Sequence, residues 1–447
     1  MAVAASTLPR VNATNGDRHT PLHAGMALLV VTLAVAVVSG CGSRHATPRV
    51  NWYINPDNGG QAEIARRCTA QAGGRYTINT SLLPRSASDQ REQLLRRLAA
   101  KDSSIDLMSL DVVFVPEFAE AGFLAPIPRA SAPGLTAGDV GPAVRTATWK
   151  GRLAAVPMWA NTQLLWYRKS VARKAGLDPA SRPVTWAQII RAAQETDATV
   201  AVQARLYEGY TVLINALIES AGGRIIENPG AHPAAVRLGI ASRAGDEAAA
   251  VIHELASTHT GGPSLSTEDE EASRELFQGP TGGFMVNWPY VWAAAQTAVQ
   301  DGELSRSTLA DIAWARYPRV DGARSSRPPL GGIDLGIGAW SRHPEFALAA
   351  ARCITSTANQ TYYFLHEGNP AARGKVFSDQ RVLKTFPMAR LLRESLEAAA
   401  PRPRTDVYGD LSAALQRSFH PPASVGPATT AAASTFILAV LRGKRLV

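Results

Sequence analysis

VNWYINPDNGGQAEIARRCTAQAGGRYTINTSLLP, residues 50–84, decides the fold. The run 50–54 is short, apolar and rich in aromatic and β-branched side chains, and Asn-Pro-Asp-Asn-Gly-Gly at 55–60 is turn chemistry. The spacing then predicts a helix over 61–72 that Gly73-Gly74 stops, and a second strand within RYTINTSLLP. Outward from this unit, residues 88–100 carry leucines at 94, 95 and 98 on one helical face, and IDLMSLD (105–111) reads as a third strand ending in Asp111. Strands alternating with helices predict an α/β protein with a mainly parallel sheet covered on both faces. In such sheets ligands collect at the carboxyl ends of the strands, where the 55–60 loop and Asp111 both fall.

Further along, AAVPMWANTQLLWYRK (154–169) reads as two extended pieces around Trp159-Ala160-Asn161. GYTVLINALIESAGGRII (209–226) reads as an apolar helix closed by Gly222-Gly223 and followed by a strand, and PLGGIDLGIG (329–338) as another strand. Helices are expected around His343 to Leu365, with helix and loop to the end. No repeat of 20 to 50 residues and no long low-complexity linker occurs, which favours lobes sharing several crossings over separate beads. The expected division is a first α/β lobe from 50–158 with 316–342, and a helix-rich second lobe from 159–315 with 343–447.

At 447 residues, 46% hydrophobic and with a mean hydropathy of -0.07, the chain has enough apolar material for full-sized cores. Its net charge of +9 is spread along the sequence, without a dense basic run interleaved with aromatics, so nucleic acid is not an expected partner. Catalytic signatures are missing: there is no G-x-S-x-G elbow and no phosphate loop, and His253-Glu254 with His259 misses the zinc-helix spacing. No enzymatic activity is therefore expected. Near the start, AGMALLVVTLAVAVVSGCGS (24–43) is an uncharged run ending in Val38-Ser39-Gly40-Cys41, which resembles a bacterial lipobox. That resemblance implies a signal peptide over 1–40, a lipid on Cys41 and a tether over 41–49. An uncleaved membrane anchor is the competing reading, and both place the bulk of the chain outside the membrane. Cys68 and Cys353 remain, either as one disulfide or as two separate thiols, and neither has metal-ligand spacing.

GGFMVNWPYVWAAAQ (282–296) packs Trp288, Tyr290 and Trp292 around Pro289, although aromatics are only 7% of the chain. A pyranose offers apolar C–H faces and a rim of hydroxyls, so aromatic plates beside planar polar groups suit it. Pro289 suits a helix N1 position, which would set Trp288 at a sheet edge facing a cleft, with Trp292 packing under the helix.

Several phrases, in order, resemble the extracytoplasmic solute-binding proteins of carbohydrate ABC transporters: SLDVVFVPEFAEAGFLAPI (109–127), AAVPMWANTQLLWYRK, LIESAGGRII (217–226), MVNWPYV (285–291), LGGIDLGIG (330–338) and EGNPAAR (367–373). Within that family the likeness is closest to the trehalose-binding lipoproteins of mycobacteria. The resemblance implies a two-lobed periplasmic-binding-protein fold of type II-like topology, with hinge strands and a ligand held in the cleft. It also implies an actinobacterial, membrane-tethered monomer without cofactor or metal, which hands a disaccharide such as trehalose to two ABC permease subunits driven by a cytoplasmic ATPase. A maltose-like sugar or a glycerophosphodiester is the alternative cargo, and a secreted carbohydrate-active enzyme the alternative class.

The resemblance assigns roles by position. Trp288 and Tyr290 would stack on sugar, Asp111 would accept from hydroxyls, Asn161 would both donate and accept, and Glu270 and Trp159 would line the cleft. Gly332 would let sugar approach bare backbone, Arg373 would donate to hydroxyls, and Asp57, Asn58, Arg85 and Ser86 would sit on first-lobe loops nearby. The residue-level alternatives are a helix cap for Asp111, a solvated helix start for Glu270, a bulge for Gly332, an ion pair for Arg373, and core packing for Trp288 and Trp159. Some trehalose and maltose binders carry a tryptophan just after the glycine where this chain has Ile333, and the interval from the MVNWPYV motif to LGGID is shorter than in those lipoproteins by about a loop.

Overall fold

The computed structural model describes residues 47–447. The expected signal peptide, the lipobox and its Cys41 lie outside the described residues. Among the described residues no helix is long and apolar enough to cross a membrane.

The first sheet opens with β1 (Arg49–Ile54), β2 (Thr77–Leu82) and β3 (Leu107–Asp111), where β1 pairs in parallel with both β2 and β3. The connections are the helices Gly60–Gln71 and Ala87–Ala99, as the alternation predicts. Ser86 caps the second of these by accepting from the Asp89 N–H at 3.3 Å, and its buried Leu94 and Leu98 contribute about 2 kcal/mol each by leaving water. A small hairpin, β4 (Thr148–Trp149) with β5 (Arg152–Leu153), precedes β6 (Val156–Thr162), which is buried along its whole length. The second sheet is built from β7 (Leu164–Arg168), β8 (Thr199–Ala201), β9 (Gly282–Asn287) and β10 (Ile312–Ala315), in the order β10-β7-β9-β8.

β11 (Pro329–Ile337) brings the chain back to the first sheet, antiparallel to both β3 and β6, and β12 (Ala400–Pro401) pairs with it in parallel. The first sheet is therefore mixed rather than purely parallel, because β11 enters from the side of the second sheet. The chain passes between sheets at Gln163, again between β10 and β11, and again around β12. Each sheet has its own buried clusters: Trp52, Ile64 and Leu107 with Ile354 on one face of the first, and Ile189, Val200, Leu217 and Phe284 at the second.

Four local expectations shift. Trp159-Ala160-Asn161 is not a break between extended pieces but the middle of β6, and the break falls at Gln163, whose buried Nε2 donates to Gln203 Oε1 at 2.9 Å. Residues 224–226 form no strand, only a single bridge from Ile226 to Leu238. Pro289 takes the N-cap place of the helix Tyr290–Gln300, one residue before N1. The helices Pro344–Ile354 and Thr357–Glu367 pack on the first sheet, contributing Ala347, Ala350, Ile354 and Tyr363 to the cluster around Trp52, although the sequence assigns everything after 343 to the second lobe. The Sγ atoms of Cys68 and Cys353 join in a disulfide that fastens the helix Gly60–Gln71 to the first of these helices.

Candidate functional site

A cleft of about 560 Å³ runs between the ends of the two sheets. One wall is made by the loop that leaves β1 and the end of β3, the strand ends singled out by the alternation, together with the loop that leaves β2. From it come Asn55, Asp57, Asn58, Arg85, Ser86 and Asp111. β6 supplies Trp159 and Asn161, and β11 supplies Gly331, Gly332 and Ile333. The facing wall holds Arg205, Tyr207 and Glu208 at the start of the helix Glu208–Ser220, Asp269 to Glu271 at the start of the helix Glu270–Gln278, and Trp288 and Tyr290 after β9.

Trp288 is half-buried, its N–H donates to its neighbour's Asn287 Oδ1 at 2.8 Å, and its ring lies against the bare backbone of Gly331. A Cβ on Gly331 would come within 2.8 Å of the indole. Trp292 turns away as expected: its Nε1 donates to the Thr385 carbonyl at 3.0 Å and its ring meets Trp314 edge-on. Trp159 is 8% exposed and stacks on Tyr363 with ring centroids 5.0 Å apart, so it serves the core as well as lining the cleft. Asn161 Oδ1 accepts from the Thr162 N–H at 2.9 Å, while its Nδ2 makes no hydrogen bond among the described residues.

The polar groups differ in how firmly they are held. Asp57 accepts from the N–H groups of Gly59 and Gln61, at 3.0 and 2.8 Å. Asn58 donates through its backbone N–H and its Nδ2 to Glu367 Oε2, both at 3.1 Å, and Gly60 N–H donates to Glu367 Oε1 at 2.9 Å. Glu367 thus ties the first loop to the helix Thr357–Glu367. Burial raises its pKa above the ordinary carboxylate range, the N–H groups of Asn58 and Gly60 oppose the rise, and the nearby Asp57 charge adds to it. Ser86 is occupied as a cap, whereas exposed Arg85 has no ion-pair partner among the described residues.

Asp111 is ion-paired. Arg402 Nη2 donates to its Oδ1 at 2.8 Å and the Val113 N–H donates to the same oxygen at 3.2 Å. Arg402 also donates through Nη1 to Glu208 Oε1 at 2.6 Å. Burial pushes the guanidinium toward losing its proton, and the charge of Asp111, with Tyr408 and Glu208, more than reverses this. Glu270 begins its helix beneath the Asp269 cap, half-buried beside Tyr207 and Trp288, and burial raises its pKa. The Tyr207 hydroxyl lies close enough to perturb it, yet makes no hydrogen bond of good geometry.

Two sequence expectations need correction. Arg373 is not in the cleft. Its guanidinium, 11% exposed, donates to the carbonyls of Leu135 at 3.0 Å, Ala137 and Thr355, and lies 3.2 Å from Asp139, so it pins the 135–139 segment beneath the first lobe. Gly332 lines the cleft, but strand pairing dictates the glycine: its φ is +133°, and a Cβ would stand 2.3 Å from the Trp159 carbonyl oxygen of β6. The other named positions line the cleft. Sequence reasoning missed Arg205, Tyr207, Glu208, Glu367 and Arg402. Glu367 opens the EGNPAAR phrase, so a signal for it was present; Arg402 and Glu208 lie 194 residues apart and no local pattern pairs them.

Comparison with known proteins places this geometry. A family model described as bacterial extracellular solute-binding protein matches residues 76–361. A curated protein of Deinococcus radiodurans named "Probable ABC transporter-binding protein" is 26% identical over 397 residues, covering 85% of this chain and 88% of its own. The solved structure of maltose-bound T. maritima MalE3 is similar with a TM-score of 0.75 at 25% identity, covering 88% of this chain and 99% of that one. An ABC transporter solute-binding protein of Thermotoga lettingae TMO bound with α-D-tagatose has a TM-score of 0.73 at 20% identity, over 88% of this chain and 100% of that one, a likeness of fold. With more than half of its length matched by the family model and the two-lobed α/β fold shared along nearly the whole described chain, this protein belongs to the bacterial extracellular solute-binding proteins.

Proposed function

We propose that the protein captures a neutral disaccharide, trehalose foremost, in the cleft between its lobes and delivers it to the permease subunits of an ABC importer. The observation that carries this reading is Trp288, an aromatic plate backed by Gly331 in a cleft that Glu270, Asn161 and Asp111 also line. An apolar face ringed by acceptors and amides matches a pyranose better than it matches an anion or a peptide. The wall carries seven carboxylates against three guanidinium groups, and two of those three are already ion-paired within the protein. That balance disfavours a glycerophosphodiester.

Capture works by differential contact. A sugar bridging both walls gains hydrogen bonds in the closed arrangement that neither wall offers alone, so it shifts the lobes toward closure. Closure excludes water and strengthens each remaining polar contact. The family of this chain and the missing catalytic signatures support a receptor rather than a carbohydrate-active enzyme. A lipid on Cys41 and an actinobacterial setting belong to the same reading, and both rest on the sequence resemblance.

Calorimetric titration of the chain from about residue 42, with trehalose, maltose, sucrose, glucose and glycerophosphocholine, tests it. Tight binding of trehalose is the expected result. Maltose is the second reading, favoured by the maltose-bound relative of similar fold. Binding of glycerophosphocholine in preference to every sugar, or cleavage of a disaccharide during the titration, overturns the proposal.

A further inference from the structure

Behind the cleft wall a single guanidinium joins both lobes. Arg402, just after β12, is 3% exposed and divides its two terminal nitrogens between Asp111 at the end of β3 and Glu208 at the first turn of the helix on the opposite wall. Glu208 is 7% exposed and bound on every side. Besides Arg402, its Oε1 accepts from the Tyr408 hydroxyl, and its Oε2 accepts from Ser412 Oγ at 2.6 Å. Ser412 Oγ lies 2.7 Å from the Thr211 hydroxyl and accepts from Gln416 Nε2 at 2.9 Å, so the anchor extends into the helix Tyr408–Phe419. Asp111 is the open end of this chain. Its Oδ1 is held by Arg402 and the Val113 N–H, its Oδ2 makes no hydrogen bond among the described residues, and the residue lines the cleft.

A carboxylate fixed through one oxygen presents the other in a set direction. Glu208 decides where Arg402 stands, and Arg402 decides how Asp111 is turned. We infer that Glu208 is a positioning residue that acts through Arg402 to aim the free oxygen of Asp111 at a ligand hydroxyl, linking the helix Tyr408–Phe419 to ligand selection. The link to ligand rests on the sugar-receptor reading; the link among the three side chains does not.

A double-mutant cycle tests it. Glu208→Gln is expected to weaken binding of the preferred sugar about tenfold, and Tyr408→Phe, which keeps every charge, about threefold. Neither is expected to weaken binding further in an Asp111→Asn background, because the group they aim is then gone. Wild-type affinity in folded Glu208→Gln, or an equal loss with and without the Asp111 carboxylate, overturns the inference. Should Glu208→Gln not fold, Tyr408→Phe alone carries the cycle. Should no sugar of the panel bind the wild type, the receptor reading fails, and the same cycle read from urea midpoints still decides: a non-additive shift supports the Glu208–Arg402–Asp111 coupling and an additive one refutes it.

Discussion

The indole of Trp288 rests on Gly331, whose missing side chain leaves the space the ring occupies: a Cβ there would meet ring atoms at 2.8 and 3.0 Å. Gly331 pairs with Asn161 across β11 and β6, so ring, glycine and amide form one patch of the cleft wall. Gly331→Ala is expected to displace the indole and weaken sugar binding about tenfold, the loss also expected of Trp288→Ala, while thermal stability changes by about 1 kcal/mol or less, since the clash is with a movable side chain. Titration calorimetry beside a melting curve checks this. Unchanged affinity in folded Trp288→Ala removes the ring from the site.

The neighbouring glycine should behave in the opposite way. Gly332 has a φ of +133°, and its missing Cβ would collide with the Trp159 carbonyl, which is backbone and has nowhere to go. Gly332→Ala is expected to destabilise the fold by about 2 kcal/mol or more, because strain and clash add, at the β11–β6 pairing that attaches β6 to the first sheet. Denaturant unfolding measures it. A normal midpoint with impaired ligand binding would return Gly332 to the role the sequence resemblance gave it.

How far the sequence could be read follows from distance along the chain. The alternation over residues 50–111 and the strand-end rule brought Asp57, Asn58 and Asp111 to one wall, because each depends on a pattern only a few residues wide, and the family resemblance added Ser86. The helices after residue 343 carry apolar faces that suit either sheet, and only packing against Trp52 and Ile64 reveals which one they join. Arg402 was illegible for the same reason: its meaning lies in Asp111 and Glu208, 291 and 194 residues away. Arg373 failed differently. A lone arginine after a loop looks the same whether it faces ligand or carbonyls, and here it faces the carbonyls of 135, 137 and 355.

Arg373 is therefore expected to matter for stability. Removing it takes the cation from beside the buried Asp139 carboxyl and leaves three carbonyls without their donor, so Arg373→Ala should cost about 3 kcal/mol of folding free energy. Sugar affinity per folded molecule should stay within about twofold of wild type, since the side chain lies outside the cleft. Paired denaturation and calorimetry separate the two effects. A selective loss of affinity at normal stability contradicts the placement.

Two buried carboxyls contribute to how stability responds to pH. Burial lifts Asp139 from 3.8 to about 7, against the weaker opposing pull of Arg373, and lifts Glu268 from 4.5 to about 7, against the hydrogen bonds of Ser264 and the Val202 N–H. Because the folded-state values lie above the unfolded ones, the folded protein keeps these protons where the unfolded chain has released them. Their effect on stability is neutral below about pH 4, grows unfavourable from there to about pH 7, and is constant above it, each tenfold difference in proton affinity between the two states being worth about 1.4 kcal/mol. The urea midpoint is expected to fall as pH rises from 5 to 7. Glu268 bears on the cleft as well, since its carbonyl accepts from the Arg205 N–H at 3.0 Å. Asp139→Asn and Glu268→Gln should each flatten part of that slope, alongside the share carried by other carboxyls whose pKa burial raises, such as Glu270 and Glu367; a double variant that keeps the full wild-type slope would show that these two groups contribute nothing to it.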